Sequence, residues 1–313
     1  MSRLDSLPLF DLLETSENIL IAGAGGGFDL FTGLPIYFRL TENGHNVWLA
    51  NYSFSDLEVN SVDPMQEVTA DTMPLDYFPE KYLCEWLDAN IDHCSTVYSF
   101  GRTGVQPMQR VYQELVDELQ LDTVILVDGG TDSLMRGDEE GIGTPTEDLT
   151  SIAAVHGLDV ETKLLVCLGF GVDTFHDICH HYFLEAVAAL AKSGHYLGAF
   201  SLMPDFEETT LMRQALDYVH ERMPDHPSIV NSSILAACMG EFGDHHPTHR
   251  TAGSELYINP LMSIYWAFKL EGIAERCLYL NHLSNTQTIA DVGNAINRFR
   301  QTRRLRPWKS MPM

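Results

Sequence analysis

Residues 18–39 read NILIAGAGGGFDLFTGLPIYFR, and this stretch decides the fold of the chain. A short apolar run ends at Gly23 and is followed by the glycines Gly25, Gly26 and Gly27 and then by an amphipathic segment. This order predicts a β-strand, a glycine turn and an α-helix. Such a unit directs backbone N–H groups and the positive end of a helix dipole toward one point, which suits an anion such as a phosphate. The stretch therefore predicts a ligand site, although it does not define a reaction.

Apolar runs alternate with helical segments along the rest of the chain. The further predicted strands are Asn46–Tyr52, Ser95–Phe100, Thr123–Asp128, Leu164–Leu168, His195–Leu202 and Cys277–Leu280. Near-continuous apolar strands separated by helices are typical of parallel sheets that are covered on both sides. We therefore predict an α/β protein with a doubly wound, mostly parallel, Rossmann-like sheet and helices on both faces.

We assign residues 1–297 to a single α/β domain. Within it, residues 53–80 are polar, contain three prolines and show no clean period, so we expect a surface excursion that could act as a lid. Thr144, Pro145 and Glu147 predict a helix that starts with a capping box. Residues 298–313 form a basic C-terminal tail.

Charge narrows the class of partner. Lys and Arg number 19 against 44 Asp and Glu, which gives a formal charge of -25 over 313 residues. This field repels nucleic acids and anionic membrane surfaces, so we predict neither as a partner. The segment Arg298–Lys309 is the basic exception, and we expect it to lie on the acidic body. The net charge does not exclude association of the chain with further copies of itself, so a homo-oligomer is possible.

The cysteines and the hydropathy predict a cytoplasmic protein. The six cysteines are scattered and include no CxxC pair, which is typical of reduced, mostly buried thiols. No apolar run approaches the roughly 20 residues that a helix needs to span a bilayer.

Four loops share a glycine turn that is followed within two residues by an aspartate. They are Gly25-Gly26-Gly27-Phe28-Asp29, Gly129-Gly130-Thr131-Asp132, Gly169-Phe170-Gly171-Val172-Asp173 and Gly240-Glu241-Phe242-Gly243-Asp244. The first three follow predicted strands, and loops at the carboxyl ends of parallel strands gather at one edge of the sheet. We therefore expect one cleft, with Gly23 and the glycines of the first three loops binding a cofactor. The alternative is that each aspartate caps its own helix.

Histidines accompany two of these loops. Asp173, His176 and His180 are three and four residues apart, so on one helix they would share a face. A second group, Asp244, His245, His246, His249 and Arg250, surrounds Pro247. Carboxylates and imidazoles together can bind a divalent metal or transfer protons near neutral pH. The alternative is that the histidines at helix ends are structural.

These groups lead to specific residue roles. Asp29 and Asp132 are candidate bases, and His176 or His180 is the candidate proton carrier. The candidate metal ligands are Asp132, Asp173, Asp244 and His245. The candidate substrate-binding residues are Arg102, Arg136, Glu241 and Arg250, three of which are scarce cations in the loops of an acidic protein. The cofactor implied is a divalent metal ion or a nucleotide.

Three stretches together resemble the domain-of-unknown-function family 1152. They are the opening unit, the turn Val127–Ser133 with Arg136–Glu139 behind it, and the loop Gly169–Asp173. The resemblance covers nearly the whole chain. It implies an α/β fold and an intracellular location, and it carries no established activity.

Two local similarities imply a ribosyl or nucleotide-like ligand. Gly23–Gly25, followed by Gly33–Pro35 and Phe38-Arg39, is similar to the NAD-binding loop of sirtuin deacylases, and Asn90–Asp92 is similar to their second motif. This chain has two extra residues between the parts and no four-cysteine zinc module. Val127–Asp132 is similar to the calcium-binding aspartate loop of nucleoside hydrolases, although the proline and the paired terminal aspartates of that loop are missing.

The sequence thus supports a leading hypothesis and two alternatives. The first is an enzyme that binds a nucleotide, a nucleoside or a related phosphorylated metabolite and catalyses hydrolysis or group transfer on it. The second is a non-catalytic sensor of a nucleotide or NAD-type ligand. The third is a metal-dependent hydrolase of a non-nucleotide substrate. The partner that we expect is a small-molecule anionic ligand.

Overall fold

The computed structural model describes residues 6–60, 63–91 and 95–311. Asp92 of the second sirtuin-like motif and residues 61–62 of the predicted excursion lie outside these ranges. The strands are β1 (Asn18–Gly23), β2 (Asn46–Tyr52), β3 (Met65–Val68), β4 (Val97–Phe100), β5 (Thr123–Asp128), β6 (Thr162–Cys167), β7 (Tyr196–Ser201), β8 (Gly243–Asp244), β9 (Tyr257–Ile258) and β10 (Ile264–Lys269). The helices are α1 (Pro8–Leu13), α2 (Asp29–Glu42), α3 (Pro79–Asn90), α4 (Val105–Leu119), α5 (Pro145–His156), α6 (His180–Ser193), α7 (Glu207–Arg222), α8 (Ile229–Cys238), α9 (Leu270–Arg276) and α10 (Ile289–Gln301). Within the described ranges, none of these helices has the length and the apolar character needed to span a membrane.

Eight strands form one sheet in the order β3-β4-β2-β1-β5-β6-β10-β7. The five strands from β4 to β6 in this order run parallel, whereas β3, β10 and β7 each pair antiparallel with their neighbours. The chain starts this parallel block at β1 in its centre and later adds strands on both sides. The point at which the strand order reverses therefore lies between β1 and β5. The prediction of a doubly wound, mostly parallel, Rossmann-like sheet is confirmed.

The central strand β1 shows why helices cover both faces. Successive side chains of a strand point to opposite faces, and every apolar side chain of β1 is buried. Ile19 and Ile21 pack with α1, α2, α3, α7 and α8. Leu20 and Ala22 pack on the other face with α4, α5, α6, α9 and α10. A strand that is apolar at every position has to lie between two helical layers.

One strand was missed and one was wrongly predicted near the C-terminus. Residues Ile264–Lys269 form β10, which inserts antiparallel between β6 and β7, and no strand was predicted there. Cys277–Leu280 is not a strand, and a short 3₁₀ turn, Leu280–His282, begins there. Apolar runs of six residues or fewer cannot be assigned to strand or helix from periodicity alone.

The predicted helix after the third glycine loop is broken. Val172–His176 is a 3₁₀ helix, Asp177 has a φ of 64°, and α6 begins only at His180. A left-handed residue cannot continue a right-handed helix. The prediction that Asp173, His176 and His180 share one helix face is therefore wrong.

The start of α5 is where it was predicted, but its cap is different. Pro145 is the first residue of α5, and the side chain of Thr144 makes no capping bond. Instead, the N–H and the hydroxyl of Thr144 donate to Asp132 Oδ2 at 2.8 and 3.3 Å. The predicted capping box is thus wrong because a buried carboxylate engages Thr144.

The excursion and the tail both pack against the body. β3 lies within residues 53–80 and pairs with β4, so part of the excursion is an edge strand. The boundary after residue 297 falls inside α10. In the tail, Arg306 forms ion pairs with Asp138, Glu139 and Glu185 at 2.9, 2.8 and 2.5 Å. The tail therefore lies on acidic side chains of the body, as its charge suggests.

Gly33 provides a test of how closely α2 must approach the sheet. A methyl group at Gly33 would lie 2.7 Å from Ile21 Cγ2, whereas one at Gly293, inside α10, has nothing within 4 Å. We expect Gly33→Ala to lower the free energy of unfolding by about 1–3 kcal/mol because α2 would be forced away from β1. Gly293→Ala should raise it by about 0.5–1 kcal/mol, since alanine is favoured inside a helix. Urea unfolding of both variants measures the difference, and equal effects would contradict the packing argument.

Candidate functional site

Three aspartates meet where the strand order reverses. Asp29 opens α2, Asp128 ends β5 and Asp148 lies in the first turn of α5. Each offers a carboxylate oxygen, and the three oxygens lie within 4.8 Å of one another. In the described part of the chain, this is the one group of three or more His, Cys, Asp or Glu side chains close enough to share a metal ion. We call these three residues the carboxylate cluster.

Gly25 provides the space in which two of these carboxylates approach each other. A methyl group at Gly25 would lie 2.6 Å from Asp148 Oδ1 and 2.8 Å from Asp29 Oδ2. Asp148 is only 2 % exposed, and its Oδ1 has no hydrogen-bond partner among the described residues. A buried carboxylate oxygen without a donor is costly, and a bound cation is one way to compensate it.

Backbone N–H groups of the glycine loops already bind aspartates of the protein. Gly25 donates to Asp29 Oδ2 at 2.7 Å, and Thr131 donates to Asp173 Oδ2 at 2.6 Å. We expected the N–H of Gly25 to bind the anionic part of a ligand. It is not available for this, because Asp29 already accepts its hydrogen bond. Asp173 belongs to the loop after β6 and Thr131 to the loop after β5, so the first three glycine loops lie side by side at the sheet edge.

Burial raises the pKa values of all five aspartates at this edge. The pKa of Asp29 is raised to about 7, mainly by burial, although the N–H of Gly25 lowers it, and the charge of Asp132 raises it further. Burial and then the charge of Asp132 hold the pKa values of Asp128, Asp148 and Asp173 well above their ordinary range. Without a cation, burial therefore favours the protonated form of these aspartates.

Asp132 differs from its neighbours because the charge of an imidazole acts on it. Burial is again the largest effect and raises its pKa, but the hydrogen bonds from Thr144 and the charge of His176 lower it. Asp132 is therefore paired electrostatically with the imidazole of His176, which is exposed to solvent. This pairing is compatible with proton transfer.

A cavity of about 410 Å³ opens beside Asp29, and we call it the glycine-loop cavity. Its lining includes Gly26, Gly27, Asp29, Phe54, Tyr77, His176, His226, Arg250 and the residues 228–231 at the start of α8. The cavity therefore combines glycine backbone, aromatic rings and basic side chains directly next to the carboxylate cluster. Cavities of this size and composition are typical of small-molecule sites.

The structure brings together many of the predicted site residues. Asp29 belongs to the carboxylate cluster, and Asp132 and Asp173 interact electrostatically with it. His176 and Arg250 line the glycine-loop cavity. The predicted cofactor-binding glycines follow the ends of β1, β5 and β6, with Gly23 as the last residue of β1. A methyl group placed on Gly129 would lie 2.8 Å from Asp29 Oδ1, and one placed on Gly130 would lie 2.5 Å from Asp173 Oδ2. Both glycines therefore pack directly against a carboxylate.

His180 and Gly171 lie elsewhere at the same edge. They line a second cavity of about 450 Å³, together with residues 254–257. The ring of His180 stacks on Phe170 with centroids 4.8 Å apart, and burial lowers its pKa. Gly169 precedes this loop and has a φ of 83°. The structure therefore separates His180 from His176.

The fourth predicted loop is not part of the sheet edge. It follows α8 rather than a parallel strand, and its Asp244 lies on the small sheet formed by β8 and β9. Asp244 Oδ1 contacts His246 Nε2 at 3.1 Å, and Glu241 Oε2 lies 3.7 Å from His245 Nδ1. Asp244 and Glu241 are both exposed, and each contacts a histidine of the same segment.

Two of the predicted substrate-binding arginines have structural contacts. The guanidinium of Arg102 lies over the ring of Phe54, 5.0 Å from its centroid. Arg136 forms an ion pair with Asp138 Oδ1 at 3.2 Å, and Arg306 binds the same oxygen at 2.9 Å. Arg102 therefore supports the aromatic wall of the cavity, whereas Arg136 belongs to the contact with the tail.

Sequence reasoning missed three residues of the site, Asp128, Asp148 and Asn231. Asp128 could have been found, because it is the one charged residue in the otherwise apolar strand β5. Asp148 had no distinctive signal, since acidic residues are common in the first turn of a helix. Asn231 lies in α8 and is fully buried, and an asparagine inside a helix also has no functional signature in a single sequence.

Comparisons with known proteins identify a family. A family model described as protein of unknown function (DUF1152) matches residues 78–305, more than two thirds of the chain. The match begins after β3, so it does not include the first glycine loop, and the expected similarity of that loop to the sirtuin motif is not shown. The searches of curated proteins and of solved structures each gave no match. The chain therefore belongs to the DUF1152 family of proteins of unknown function.

Proposed function

We propose that this protein is a divalent-cation-dependent enzyme that catalyses hydrolysis or group transfer on a nucleotide, a nucleoside or a related phosphorylated metabolite. The observation that supports this most strongly is the carboxylate cluster, in which two buried aspartates and the half-buried Asp29, from three different elements, offer oxygens within 4.8 Å of one another. Burying carboxylates against one another is unfavourable unless protons or a cation neutralise them. The carboxylate cluster also lies where the strand order reverses, and ligands of open α/β sheets usually bind at this point.

The ligand atoms indicate the class of cation. Asp29, Asp128 and Asp148 present carboxylate oxygens alone, which favours Mg²⁺, Mn²⁺ or Ca²⁺ over softer metals. Such a cation would polarise a phosphoryl or ribosyl leaving group and favour ionisation of a bound water. In this proposal Asp132 accepts a proton and His176 exchanges it with solvent.

The glycine-loop cavity is the proposed substrate site. Tyr77 and Phe54 supply aromatic surface, and Arg250 supplies positive charge in an otherwise acidic protein. This combination suits a phosphorylated compound with a planar group. We also propose a cytoplasmic location, which is consistent with the five cysteines of the described ranges that are free thiols.

Cation binding is the first test of this function. We expect millimolar Mg²⁺, Mn²⁺ or Ca²⁺ to raise the melting temperature of the wild-type protein, since a ligand at 100 times its Kd stabilises the fold by about 2.7 kcal/mol. Asp148→Asn should lose this response while it stays folded, because the amide removes charge from the cluster and preserves shape. Differential scanning calorimetry with each cation measures the effect.

Asp205→Asn is the matched control, because Asp205 is an exposed aspartate outside the cluster. It should respond to cations like the wild type. If Asp148→Asn and Asp205→Asn respond equally, cations bind elsewhere and the proposed site is wrong.

Stability in the absence of cations should depend on pH with a definite sign. The folded state keeps a proton on Asp29 up to about pH 7, whereas the unfolded chain releases it near the ordinary value of 3.8. The unfolded state therefore binds fewer protons between these values, so the free energy of unfolding falls as the pH rises from about 4 to about 7. Urea unfolding in EDTA should show this fall, and Asp29→Asn should reduce it. A rise over the same interval in the wild type would contradict the assignment.

Turnover distinguishes an enzyme from a sensor. We expect the wild-type protein with Mg²⁺ or Mn²⁺ to consume at least one member of a panel of nucleotides and nucleosides, as measured by chromatography. Asp132→Asn should lower kcat by about 10²–10⁴-fold without unfolding the protein, because it removes the proposed base. Stabilisation by a nucleotide without any consumption would instead support the non-catalytic sensor.

A further inference from the structure

The proposed function needs a binding place for the phosphate of its substrate, and the first glycine turn does not provide a free one. The N–H of Gly25 donates to Asp29 Oδ2 at 2.7 Å, and the N–H of Gly26 also lowers the pKa of Asp29. A carboxyl group of the protein thus occupies the position in which a phosphate would lie in a phosphate-binding loop. The positive groups of the glycine-loop cavity lie instead at the start of α8.

α8 begins at the wall of this cavity. Ser228, Ile229, Val230 and Asn231 all line it. The side chain of Ser228 caps α8 by accepting from the N–H of Asn231 at 3.2 Å. The N–H groups of Ile229 and Val230 have no acceptor within the helix, as is general for a first turn. The ten-residue helix α8 therefore points its positive end at the cavity.

Arg250 adds a full positive charge at the same place. Its Nη1 donates to the carbonyl oxygen of Pro227 at 3.0 Å, directly before the cap residue Ser228. The imidazole of His226 also lines the cavity and contacts the ring of Tyr77 edge-on, with centroids 5.5 Å apart. Two basic side chains and a helix N-terminus thus face one cavity.

Asn231 carries an unused hydrogen-bond acceptor in this wall. The residue is fully buried, and its Nδ2 donates to the carbonyl oxygen of Phe28 at 3.0 Å and to Ser228 Oγ at 3.1 Å. Its Oδ1 has no partner among the described residues. Since unpaired buried oxygens are rare, a ligand with an O–H donor is indicated at this position.

The carboxylate cluster lies next to this helix end. A methyl group placed on Gly129 would lie 2.8 Å from Asp29 Oδ1 and 3.3 Å from Val230 Cγ1. A group bound at the first turn of α8 is therefore a neighbour of Asp29. This proximity allows one ligand to contact both the helix end and a cation in the cluster.

We propose that the first turn of α8, together with Arg250, binds a phosphate group that carries a proton, and that Asn231 Oδ1 accepts the hydrogen bond from this P–O–H. The inference rests on the proposed function, which it deepens by assigning the phosphate to α8 rather than to the glycine turn. It also predicts selectivity, because inorganic phosphate carries a P–O–H near neutral pH and a phosphate monoester carries one in its monoanion, which is abundant up to its second pKa of about 6, whereas sulfate carries none. Sulfate would leave Asn231 Oδ1 unpaired.

The test is calorimetric titration of the full chain with sodium phosphate, ribose 5-phosphate and sodium sulfate at pH 6 in EDTA. EDTA removes the cation, so the result does not depend on a cation bound by the carboxylate cluster. We expect phosphate to bind at least about tenfold more tightly than sulfate. Ribose 5-phosphate should bind as tightly as phosphate if the natural ligand is a monoester, and more weakly if it is free phosphate.

Variants separate the two contributions. Arg250→Ala should weaken the binding of phosphate and sulfate alike by about tenfold or more, whereas Arg304→Ala, which alters an exposed arginine of the tail, should change neither. Asn231→Ala should reduce the preference for phosphate over sulfate toward one. If this variant does not fold, the preference of the wild-type protein and the effect of Arg250→Ala still decide the question.

Equal binding of phosphate and sulfate, or phosphate binding that is indifferent to Arg250→Ala, would overturn the inference. Phosphate binding that appears only with Mg²⁺ and is lost in Asp148→Asn would overturn it as well, because the phosphate would then be held by the cation alone. Conversely, selective phosphate binding in EDTA by a protein that binds no cation would support this inference and contradict the proposed function.

Discussion

The burial of several carboxylates at one edge of the sheet is the constraint on which the rest of the site depends. Removing a charge from water costs several kcal/mol even after the protein relaxes, so five neighbouring aspartates cannot all be ionised without compensation. The molecule provides part of it through the N–H groups of Gly25, Thr131 and Thr144. Protons supply more, and a cation can replace them. The loops at this edge are therefore arranged around negative charge.

This constraint explains why glycines and aspartates occur together in the sequence. At Gly25, Gly129 and Gly130 the space of a missing side chain is filled by a carboxylate, in each case within 2.8 Å of the position that a methyl group would take. For Gly130 that carboxylate comes from the neighbouring loop. The glycines are thus needed for close approach as well as for turning the chain. A repeated glycine-aspartate pattern reports loops packed against one another.

The predictability of the fold and of the site differs for a physical reason. The bounds of β2 and β5 were predicted correctly, because each is an apolar run between polar residues. The antiparallel strand β10 was missed, since nothing local distinguishes a short strand from a buried helix. In the site, Asp29 and Asp132 were found through local glycine patterns, whereas Asp148 joins them only through tertiary packing. Local sequence patterns indicate where a loop lies, but which other segment packs against that loop depends on the tertiary fold.

The position of β10 has a consequence for the order in which the protein can assemble during synthesis. β7 is synthesised before β10. In the sheet, however, β10 lies between β6 and β7, so β7 contacts the rest of the sheet only through β10. β7 therefore has no place in the sheet until some 60 further residues have been made, while Asp29, Asp128, Asp148 and Asp173 all precede it. The parallel block that carries the carboxylates can form first. The nascent chain would then hold a nearly complete ligand edge beside an unfinished sheet, and an early ligand could stabilise that intermediate.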